Sequence, residues 1–498
     1  MNTLHDLRAL DGNSDPHPQP QSTAHISALS IDRLQPLEGW AMVQRAAGYV
    51  WQPTPVEAIR DLYALARAQG RTIAPRGVGN SYNDAALNSE DIILDLSQMR
   101  GVLAWDPQTG IITVQPGLTV RDLWRAVVAD GWWPPVVPGT MGPTIGGCVA
   151  MNIHGKNAWK AGPIGDHLLA LDLLLPTGEL RTLTPGGEPD LWHAVVGSLG
   201  MLGVITSITL QMRRIHSGKL QTRQRAANSL RDLFTLFADE IPTADYLVGW
   251  IDGFATGTQL GRGLTRRANF IETPDAASLS PMAQDLAPRI AGVIPRSEVW
   301  RAMKMVFNDT AMRFANNGQF IAGGRDGDKT HLQTHAQYHF LHDYMPNWKR
   351  AWLPGGLRQF QVFAPAATAP VLFTELLRRS QQDGLHPYLC VFKQHRADDY
   401  LLSYQRDGFS LSLDYRVTSN NTERLATLFA AMRTDVLDAG ARFYLAKDDQ
   451  LDAASYRQSM GDAAIDRFMM LKHQFDPDGL LQSNLFRRVF DVRRGPGY

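Results

Sequence analysis

Three glycine-rich segments in the first half of the chain constrain its fold more than any other feature. They read "PRGVGNSYND" at residues 75–84, "VPGTMGPTIGGCVAMNIHGKN" at 137–157 and "VGSLGMLGVIT" at 196–206. Glycine lets backbone N–H groups approach an anion closely and adopt positive φ. Three such segments in one domain predict a long, phosphate-bearing ligand laid across several loops. Glycine turns also occur in hairpin-rich domains without any ligand, so that alternative stays open.

The first segment does not match either of the two common nucleotide-binding motifs. Gly77 and Gly79 directly follow a strand predicted over "RTIAP", as phosphate-binding loops do. A dinucleotide fingerprint would carry its third glycine at the position of Tyr82, and no Lys-Ser or Lys-Thr pair follows as in a P-loop. The segment therefore predicts neither a Rossmann site nor a nucleoside triphosphatase.

Composition excludes several classes of protein. The 498 residues include 49 Lys and Arg and 49 Asp and Glu, so no excess of basic charge favours nucleic-acid binding. No stretch has the roughly 18 apolar residues of a membrane span, and the first thirty residues lack an apolar signal segment, so we expect a cytoplasmic location. Cys148 and Cys390 lie far apart in apolar surroundings, which predicts core residues rather than a disulfide.

The 14 histidines do not predict a metal site. His331 and His335 have the nearest suitable spacing, but they occur in a loop-like stretch without a matching carboxylate. We therefore expect no bound metal.

The pattern of strands and helices predicts an α+β fold with two domains. Residues 1–35 are polar, proline-containing and aperiodic, which predicts a flexible N-terminal arm. A first domain is expected over residues 36–213 and a second over 214–435. Residues 436–498 are expected to return to the first domain.

Two stretches of the second domain are predicted to be loops. Residues 273–285 and 316–332 are rich in glycine and polar residues. A helix is predicted between them over "SEVWRAMKMVFNDTAMRF", whose many Met, Trp and Phe residues favour a core or lid helix over a membrane contact.

Taken in order, "RGVGNSY", "PGTMGPTIGG" and "GSLGMLGVIT" resemble the FAD-binding domain of the vanillyl-alcohol-oxidase superfamily. Further stretches, "IHGKN", "LDLLLPTGELRTLTP", "LGRG", "RQFQ", "VFK" and "YLAKD", are similar to the branch of that superfamily that oxidises polyprenyl-phosphoribose. The resemblance runs from about residue 40 to 490. It implies an FAD-binding domain of two α+β subdomains and a second α+β domain that covers the flavin and binds substrate.

The resemblance assigns FAD contacts to the three glycine-rich segments. The residues concerned are Arg76, Gly77, Val78, Gly79, Asn80, Ser81, Pro138, Gly139, Thr140, Thr144, Gly146, Gly147, Asn152, Gly155, Asn157, Gly200, Gly203 and Ile205.

The resemblance also suggests catalytic and substrate-binding residues. Lys447 in "YLAKD" is expected to stabilise charge or relay a proton, with a surface lysine as the alternative. His154 is a candidate to accept the hydroxyl proton with a pKa near the working pH, with a structural role as the alternative. Gln361 completes the catalytic set. The expected substrate-binding residues are Tyr82, Lys156, Trp250, Gln359, Lys393, Ser410 and Ser412. Trp250 has a core position as its alternative.

The chain departs from the superfamily's pattern at two places. Covalent flavoproteins of the superfamily carry a histidine in the glycine turn where this chain has Asn80, so we expect FAD to be bound non-covalently. Ser410 and Ser412 in "FSLSLDY" stand where the ribose-oxidising branch has asparagine and cysteine. These serines alter the expected pocket wall and leave the identity of the sugar open.

The leading hypothesis is therefore an FAD-dependent oxidoreductase that converts a secondary hydroxyl of a sugar to a ketone. The expected substrate is the 2′-hydroxyl of a polyprenyl-phosphoribose, with a partner short-chain reductase completing an epimerisation and with peripheral membrane contact left open. One alternative is oxidation of a soluble sugar, polyol or hydroxy acid. Another is a flavin-binding module without turnover.

Overall fold

The computed structural model describes residues 29–290 and 292–495. Residues 1–28, most of the predicted arm, lie outside the described residues. The described end of that arm has regular structure: Ile31–Arg33 form a 3-10 helix and the first strand begins at Leu34. The predicted domain boundaries stay predictions.

Twenty-one strands are found in the described residues. They are β1 Leu34–Glu38, β2 Arg45–Trp51, β3 Ile73–Arg76, β4 Ile92–Asp95, β5 Val102–Asp106, β6 Ile111–Val114, β7 Trp132–Trp133, β8 Leu168–Leu174, β9 Leu180–Leu183, β10 Val204–Gln211, β11 Arg213–Arg214, β12 Lys219–Ala227, β13 Tyr246–Ile251, β14 Gly263–Phe270, β15 Arg289–Ile290, β16 Ile294–Pro295, β17 Thr330–Thr334, β18 Leu357–Pro365, β19 Leu389–His395, β20 Gly408–Arg416 and β21 Arg442–Phe443.

Fifteen α-helices accompany them in the same part of the chain. They are α1 Val56–Ala68, α2 Val120–Val127, α3 Ile145–Ala150, α4 Ala158–Ala161, α5 Pro189–Val195, α6 Leu230–Glu240, α7 Pro281–Gln284, α8 Val299–Val306, α9 Asp309–Asp326, α10 His335–His339, α11 Ala369–Gln382, α12 Thr422–Asp438, α13 Ala453–Met460, α14 Asp462–Phe475 and α15 Asn484–Phe490. The mixture of helices and strands agrees with the predicted α+β class.

The N-terminal part of the fold contains two larger sheets, besides the two-stranded sheet of β7 and β11. One has the order β1-β2-β4-β3, in which β2, β4 and β3 run parallel, and the other is the antiparallel sheet β5-β6-β10-β8-β9. The predicted apolar positions of α1, including Ile59 and Leu62, are buried. The first glycine-rich segment follows β3, the second contains α3 and the third leads into β10. All three segments therefore occupy connections between elements of this part of the fold.

Residues 219–443 contribute an antiparallel sheet of eight strands, β17-β12-β14-β13-β19-β20-β18-β21. Helices α6, α11 and α12 pack against this sheet. Along β18, Phe360 and Val362 belong to the hydrophobic core, whereas Gln359 and Gln361, which alternate with them, line a cavity. Because successive side chains of a strand point to opposite faces, one face of this sheet contributes to the core and the other lines the cavity.

The predicted loop over residues 316–332 is wrong for most of its length. Residues 309–326 form α9, which begins at the N-cap Asn308 and ends at Gly327 in the left-handed conformation. Gly323 lies inside this helix because a Cβ there would come within 2.6 Å of Leu264 on β14. Close packing against the sheet thus explains a glycine that the sequence pattern assigned to a loop. The predicted helix before it is interrupted at Phe307, between α8 and α9.

The C-terminal segment contacts both parts of the fold. Strand β21 pairs with β18 at the edge of the eight-stranded sheet. Farther along, the N–H of Ile73 on β3 donates to the carbonyl of Leu480, and the N–H of Gln482 donates to the carbonyl of Ile73. A buried ion pair fixes this connection: Lys472 on α14 pairs with Asp476.

Among the described residues, no helix combines the length and the apolar character that crossing a membrane would require.

We expect Lys472→Met to lower the free energy of unfolding by about 3–5 kcal/mol, because it leaves the Asp476 carboxylate buried without its cation. Lys472 Nζ also donates to the carbonyls of Met201 and Leu481, each at 2.7 Å, so these acceptors lose their donor as well. Chemical denaturation monitored by circular dichroism measures the change. Arg457→Met, which removes an exposed ion pair on α13, is the control and should cost at most about 1 kcal/mol. Equal effects of the two substitutions would contradict the assigned role of Lys472.

Candidate active site

One cavity lies between the glycine-rich segments and the eight-stranded sheet. Its lining includes fifteen of the residues expected to contact FAD: Arg76, Gly77, Val78, Gly79, Asn80, Ser81, Pro138, Gly139, Thr140, Thr144, Gly146, Gly147, Gly200, Gly203 and Ile205. The structure thus brings all three segments to one wall of the same cavity.

The backbone along this wall has no room for side chains at two glycines. A Cβ at Gly77 would lie 2.3 Å from Thr144 Oγ1, and one at Gly146 would lie 2.7 Å from Pro116 Cβ. Thr144 is itself held in place, because its hydroxyl accepts from the N–H of Gly147 at the start of α3. The result is a wall of closely approaching backbone, as the long phosphate-bearing cofactor expected here requires.

The opposite wall consists of polar side chains from three adjacent strands. The register pairs Gln361 on β18 with Ser412 on β20, and Ser412 with Val391 on β19. The neighbouring rows on this face are Gln359 with Asp414 and Leu389, and Phe363 with Ser410 and Lys393. Except for Phe363, all of these residues line the cavity. The predicted substrate residues Gln359, Gln361, Lys393, Ser410 and Ser412 therefore meet on one face.

Lys447 reaches the cavity from a C-terminal turn that is anchored to the first glycine-rich segment. The Asn83 side-chain amide donates to the carbonyls of Leu445 and Asp448 at 2.7 and 2.6 Å, and the N–H of Tyr82 donates to the carbonyl of Ala446 at 2.9 Å. Lys447 Nζ lies 3.3 Å from the centre of the Tyr82 ring. These contacts hold the ammonium at the cavity and not at the outer surface.

The enclosed position of Lys447 makes it easy to deprotonate. Burial, with a smaller contribution from the nearby Lys393 ammonium, lowers its pKa to about 7, and the Asp414 carboxylate partly opposes this shift. Burial likewise raises the pKa of Asp414 to about 6, although Gln359 donates a hydrogen bond to it. Lys447 keeps part of its surface open to the cavity, so we expect its pKa to be most perturbed when a ligand excludes water.

His154 lies on the cavity wall between two other predicted site residues. Gln361 Nε2 is 3.2 Å from His154 Nε2, and Lys393 Nζ is 3.4 Å from His154 Nδ1. Burial, with added repulsion from Lys393, holds the pKa of His154 well below its usual value. This lowered pKa favours an uncharged imidazole and does not favour a base with a pKa near the working pH; the catalytic role of His154 stays a prediction.

Lys156 lines the cavity, but its ammonium is already engaged by the backbone. Nζ donates to the carbonyls of Tyr338 and His339, at 2.6 and 2.8 Å. These bonds tie α10 to the second glycine-rich segment and leave at most one donor of Lys156 for a ligand. Its binding of substrate stays a prediction.

Four predicted site residues are not among those that line the cavity. Asn152 turns the chain at φ 42° and accepts from the N–H of Gly165, and Asn157 donates to the carbonyl of Pro135. Gly155 lies between them, where a Cβ would come within 2.5 Å of the Asn157 side chain. Trp250 lies farther along β13 than Val248, which does reach the cavity. These four residues do not line the cavity in this structure, and their contacts with FAD or substrate stay predictions.

Several site residues escaped sequence reasoning. Asp414 follows Ser412 by two positions on the same strand face, so the alternation of β20 could have identified it. His342 lines the cavity beside Gly139, in a segment with no such pattern. His395, two positions after Lys393 on β19, is buried behind the wall and contacts Ser410.

The polar groups that line the cavity suit an organic cofactor and a polar substrate. Gln359 Oε1 and Asp414 Oδ2 are buried and have no hydrogen-bond partner among the described residues, although both residues line the cavity. In the same part of the chain, no group of three or more His, Cys, Asp or Glu side chains is arranged to hold a metal ion. The residues present therefore fit FAD along the glycine wall and a hydroxyl-bearing ligand along the sheet.

We expect Gly77→Ala to weaken FAD binding about five- to tenfold, because the new Cβ displaces Thr144 and disturbs its cap on α3. Reconstitution of flavin-free protein, followed by flavin fluorescence, measures the dissociation constant. Gly186→Ala is the matched control, since a Cβ there meets open space. Unchanged FAD affinity in Gly77→Ala, with unchanged thermal stability, would contradict the assignment of this wall.

Comparisons with known proteins agree with this geometry. Residues 47–184 match the FAD binding domain family. The chain is 27% identical over 461 residues to decaprenylphosphoryl-beta-D-ribose oxidase of Mycolicibacterium smegmatis, covering 91% of this chain and 97% of that protein. A putative D-arabinono-1,4-lactone oxidase of Neurospora crassa is 30% identical over 32% of this chain and 28% of its own length. D-lactate dehydrogenase of Anaerostipes hadrus is 29% identical over 32% of this chain and 35% of its own length. The chain therefore carries a PCMH-type FAD-binding domain and is an FAD-dependent oxidoreductase that acts on CH–OH groups.

Proposed function

We propose that the enzyme oxidises a secondary hydroxyl of a sugar to a ketone, and that its substrate is the 2′-hydroxyl of a polyprenyl-phosphoribose. The observation that carries the proposal is the polar sheet face opposite the glycine wall, where Gln361 pairs with Ser412 and Gln359 with Asp414, and where Lys447 lines the same cavity. Amide and hydroxyl groups of this kind suit a ligand with several hydroxyls. The near full-length similarity to an oxidase of decaprenylphosphoryl ribose supports the lipid-linked pentose.

A soluble sugar lactone or a hydroxy acid is the rival substrate. The similarity to the lactone oxidase and to lactate dehydrogenase covers only about a third of this chain, whereas the similarity to the ribose oxidase extends into the sheet that faces the cavity. This difference in extent favours the phosphoribose.

FAD would be held along the glycine wall, by backbone at Gly77, Gly146, Gly147 and Gly200. When bound, FAD supplies the two-electron acceptor for the hydride that leaves the carbinol carbon. The protein's own task is to orient the substrate and to remove the hydroxyl proton.

Lys447 is the group best suited to accept that proton. An amine must be uncharged to act as a base, and at neutral pH an amine with a pKa of about 7 is partly uncharged. His154 is uncharged too, but its lowered pKa makes it a weak base. We assign His154 and Gln361 to orientation of the reacting hydroxyl by hydrogen bonds.

Non-covalent attachment of FAD is part of the proposal. The glycine turn carries Asn80 where a covalent attachment would need a histidine. Cys148 lines the cavity, but burial raises the pKa of its thiol to about 12, so the reactive thiolate is scarcely populated. Acid precipitation should therefore release the flavin into the supernatant.

The remaining assignments follow from the same reaction. The second domain would cover the flavin and bind the sugar, and a ketone product would require a separate reductase to complete an epimerisation. A prenyl-linked substrate would also require contact with a membrane surface.

Anaerobic reduction of the bound flavin tests the proposed substrate. We expect a short-prenyl phosphoribose to bleach the flavin absorbance faster than ribose 5-phosphate, arabinono-1,4-lactone or D-lactate, and to yield a product lighter by two hydrogen atoms. Bleaching by the lactone or by lactate alone would favour the rival substrate. Retention of the flavin absorbance with every hydroxyl donor would contradict oxidation altogether.

Replacement of Lys447 tests the proposed base. The uncharged amine is populated above its pKa, so the rate of flavin reduction in the unmodified enzyme should rise with pH through about 7. Lys447→Met should slow reduction about 10²–10⁴-fold and abolish this rise, while FAD stays bound. Stopped-flow absorbance at several pH values provides the measurement.

Two further variants sharpen the test of Lys447. Lys447→Arg keeps a positive charge that does not dissociate, so it should also lose the pH dependence. Lys160→Met removes a half-exposed lysine that is paired with Asp245, and it should leave the profile unchanged. A pH profile of Lys447→Met that matches the unmodified enzyme would exclude Lys447 as the base.

A further inference from the structure

Hydrogen bonds connect four side chains in series, from the half-buried carboxylate of Asp398 to the substrate wall of the cavity. Gln405 Nε2 donates to Asp398 Oδ2 at 3.0 Å, and Gln405 Oε1 lies 3.2 Å from His395 Nδ1. His395 Nε2 lies 2.8 Å from Ser410 Oγ. His395, Gln405 and Ser410 are each at most 2% exposed, and Ser410 lines the cavity.

The Asp398 carboxylate determines the direction of every hydrogen bond in this series of four side chains. Ionised Asp398 only accepts, so the amide nitrogen of Gln405 must face it and the amide oxygen must face His395. Burial raises the pKa of Asp398 to about 6, which leaves the group ionised at neutral pH and above. The orientation of Gln405 is thereby fixed.

The tautomer of His395 follows in the same way. Burial lowers its pKa to about 3, so the ring is uncharged and carries one N–H. Because the Gln405 oxygen is an acceptor only, the proton must lie on Nδ1, and Nε2 is left as an acceptor. The Ser410 hydroxyl must then donate its proton to His395 Nε2.

With its proton committed to His395, the Ser410 hydroxyl offers only lone pairs to the cavity. No donor to Ser410 Oγ is found among the described side chains; the neighbouring Lys393 Nζ instead lies 3.4 Å from His154 Nδ1. Ser412, two positions along β20, has no such partner, so its hydroxyl remains free to donate or to accept.

We propose that Asp398, Gln405 and His395 fix Ser410 as an obligate hydrogen-bond acceptor for a second, non-reacting hydroxyl of the substrate. Ser410 is then a specificity residue and His395 a positioning residue that acts through it. The site selects a polyhydroxylated substrate with a free hydroxyl donor at this point over one in which that hydroxyl is missing or replaced. The inference rests on the proposed sugar substrate and adds the requirement for this donor.

Equilibrium binding to the FAD-loaded enzyme tests the inference separately from catalysis. The probes are farnesyl-phosphoryl-β-D-ribose and its 3′-fluoro and 5′-fluoro analogues, which keep the 2′-hydroxyl but lose one donor each. Perturbation of the flavin spectrum under anaerobic conditions, or calorimetry, gives the dissociation constants. One fluoro analogue should bind the unmodified enzyme about five- to tenfold more weakly than the parent, as expected for one lost hydrogen bond.

Variants test whether Ser410 and His395 cause this difference in affinity between the parent and the fluoro analogue. Ser410→Ala should bind the parent and the analogue nearly equally, whereas Ser412→Ala should keep the discrimination. His395→Phe should reduce it, because the Ser410 proton is released, and His395→Gln, which keeps an acceptor, should restore part of it. A purely structural His395 would weaken all probes by the same factor and leave their ratio unchanged, and this result would overturn the proposal.

Failure of this inference is distinguishable from failure of the proposed function. Equal binding of the parent and both analogues to the unmodified enzyme, or no binding of the parent, overturns the inference whatever the catalytic result. Discrimination in binding without bleaching of the flavin by the parent supports the acceptor role of Ser410 and overturns oxidation of this sugar.

Discussion

The register of β18, β20 and β19 determines which side chains face the cavity. Side chains alternate between the two faces of a strand, so a slip of one residue would turn Gln361 and Ser412 into the core and bring Phe360 and Leu411 to the substrate wall. The core side resists such a slip because its residues pack against α11 and α12. Packing of the apolar face therefore fixes which polar side chains line the cavity on the opposite face of the sheet.

Desolvation then determines what the positioned groups do. Lys447, Lys393 and His154 are cations or potential cations within one enclosed site, and burial is the largest cause of the lowered pKa of each. Asp414 is the carboxylate beside them and partly offsets this effect for Lys447. The arrangement keeps positive charge available for an anionic ligand while one amine remains able to accept a proton.

The glycine wall was the most predictable part of the site, because close approach of backbone depends on glycine itself and leaves a local signal. The polar wall was predicted only in part. Asp414 and His395 matter because of partners on other strands, and a single sequence does not reveal that pairing. The low pKa of His154 and the engagement of Lys156 by α10 also arise from tertiary contacts. Residues 316–326 of α9 have a loop-like sequence pattern, in which Gly323 serves close packing against the sheet.

In the proposed reaction the 2′-carbon loses hydride at the polar sheet face, and bound FAD would accept it. The most direct measurement is the primary deuterium isotope effect on anaerobic flavin reduction, using the phosphoribose with deuterium at the 2′-carbon. We expect 2′-deuterium to slow flavin reduction clearly and 3′-deuterium to leave its rate unchanged. Equal rates for the two labelled substrates, or slowing by 3′-deuterium alone, would contradict it.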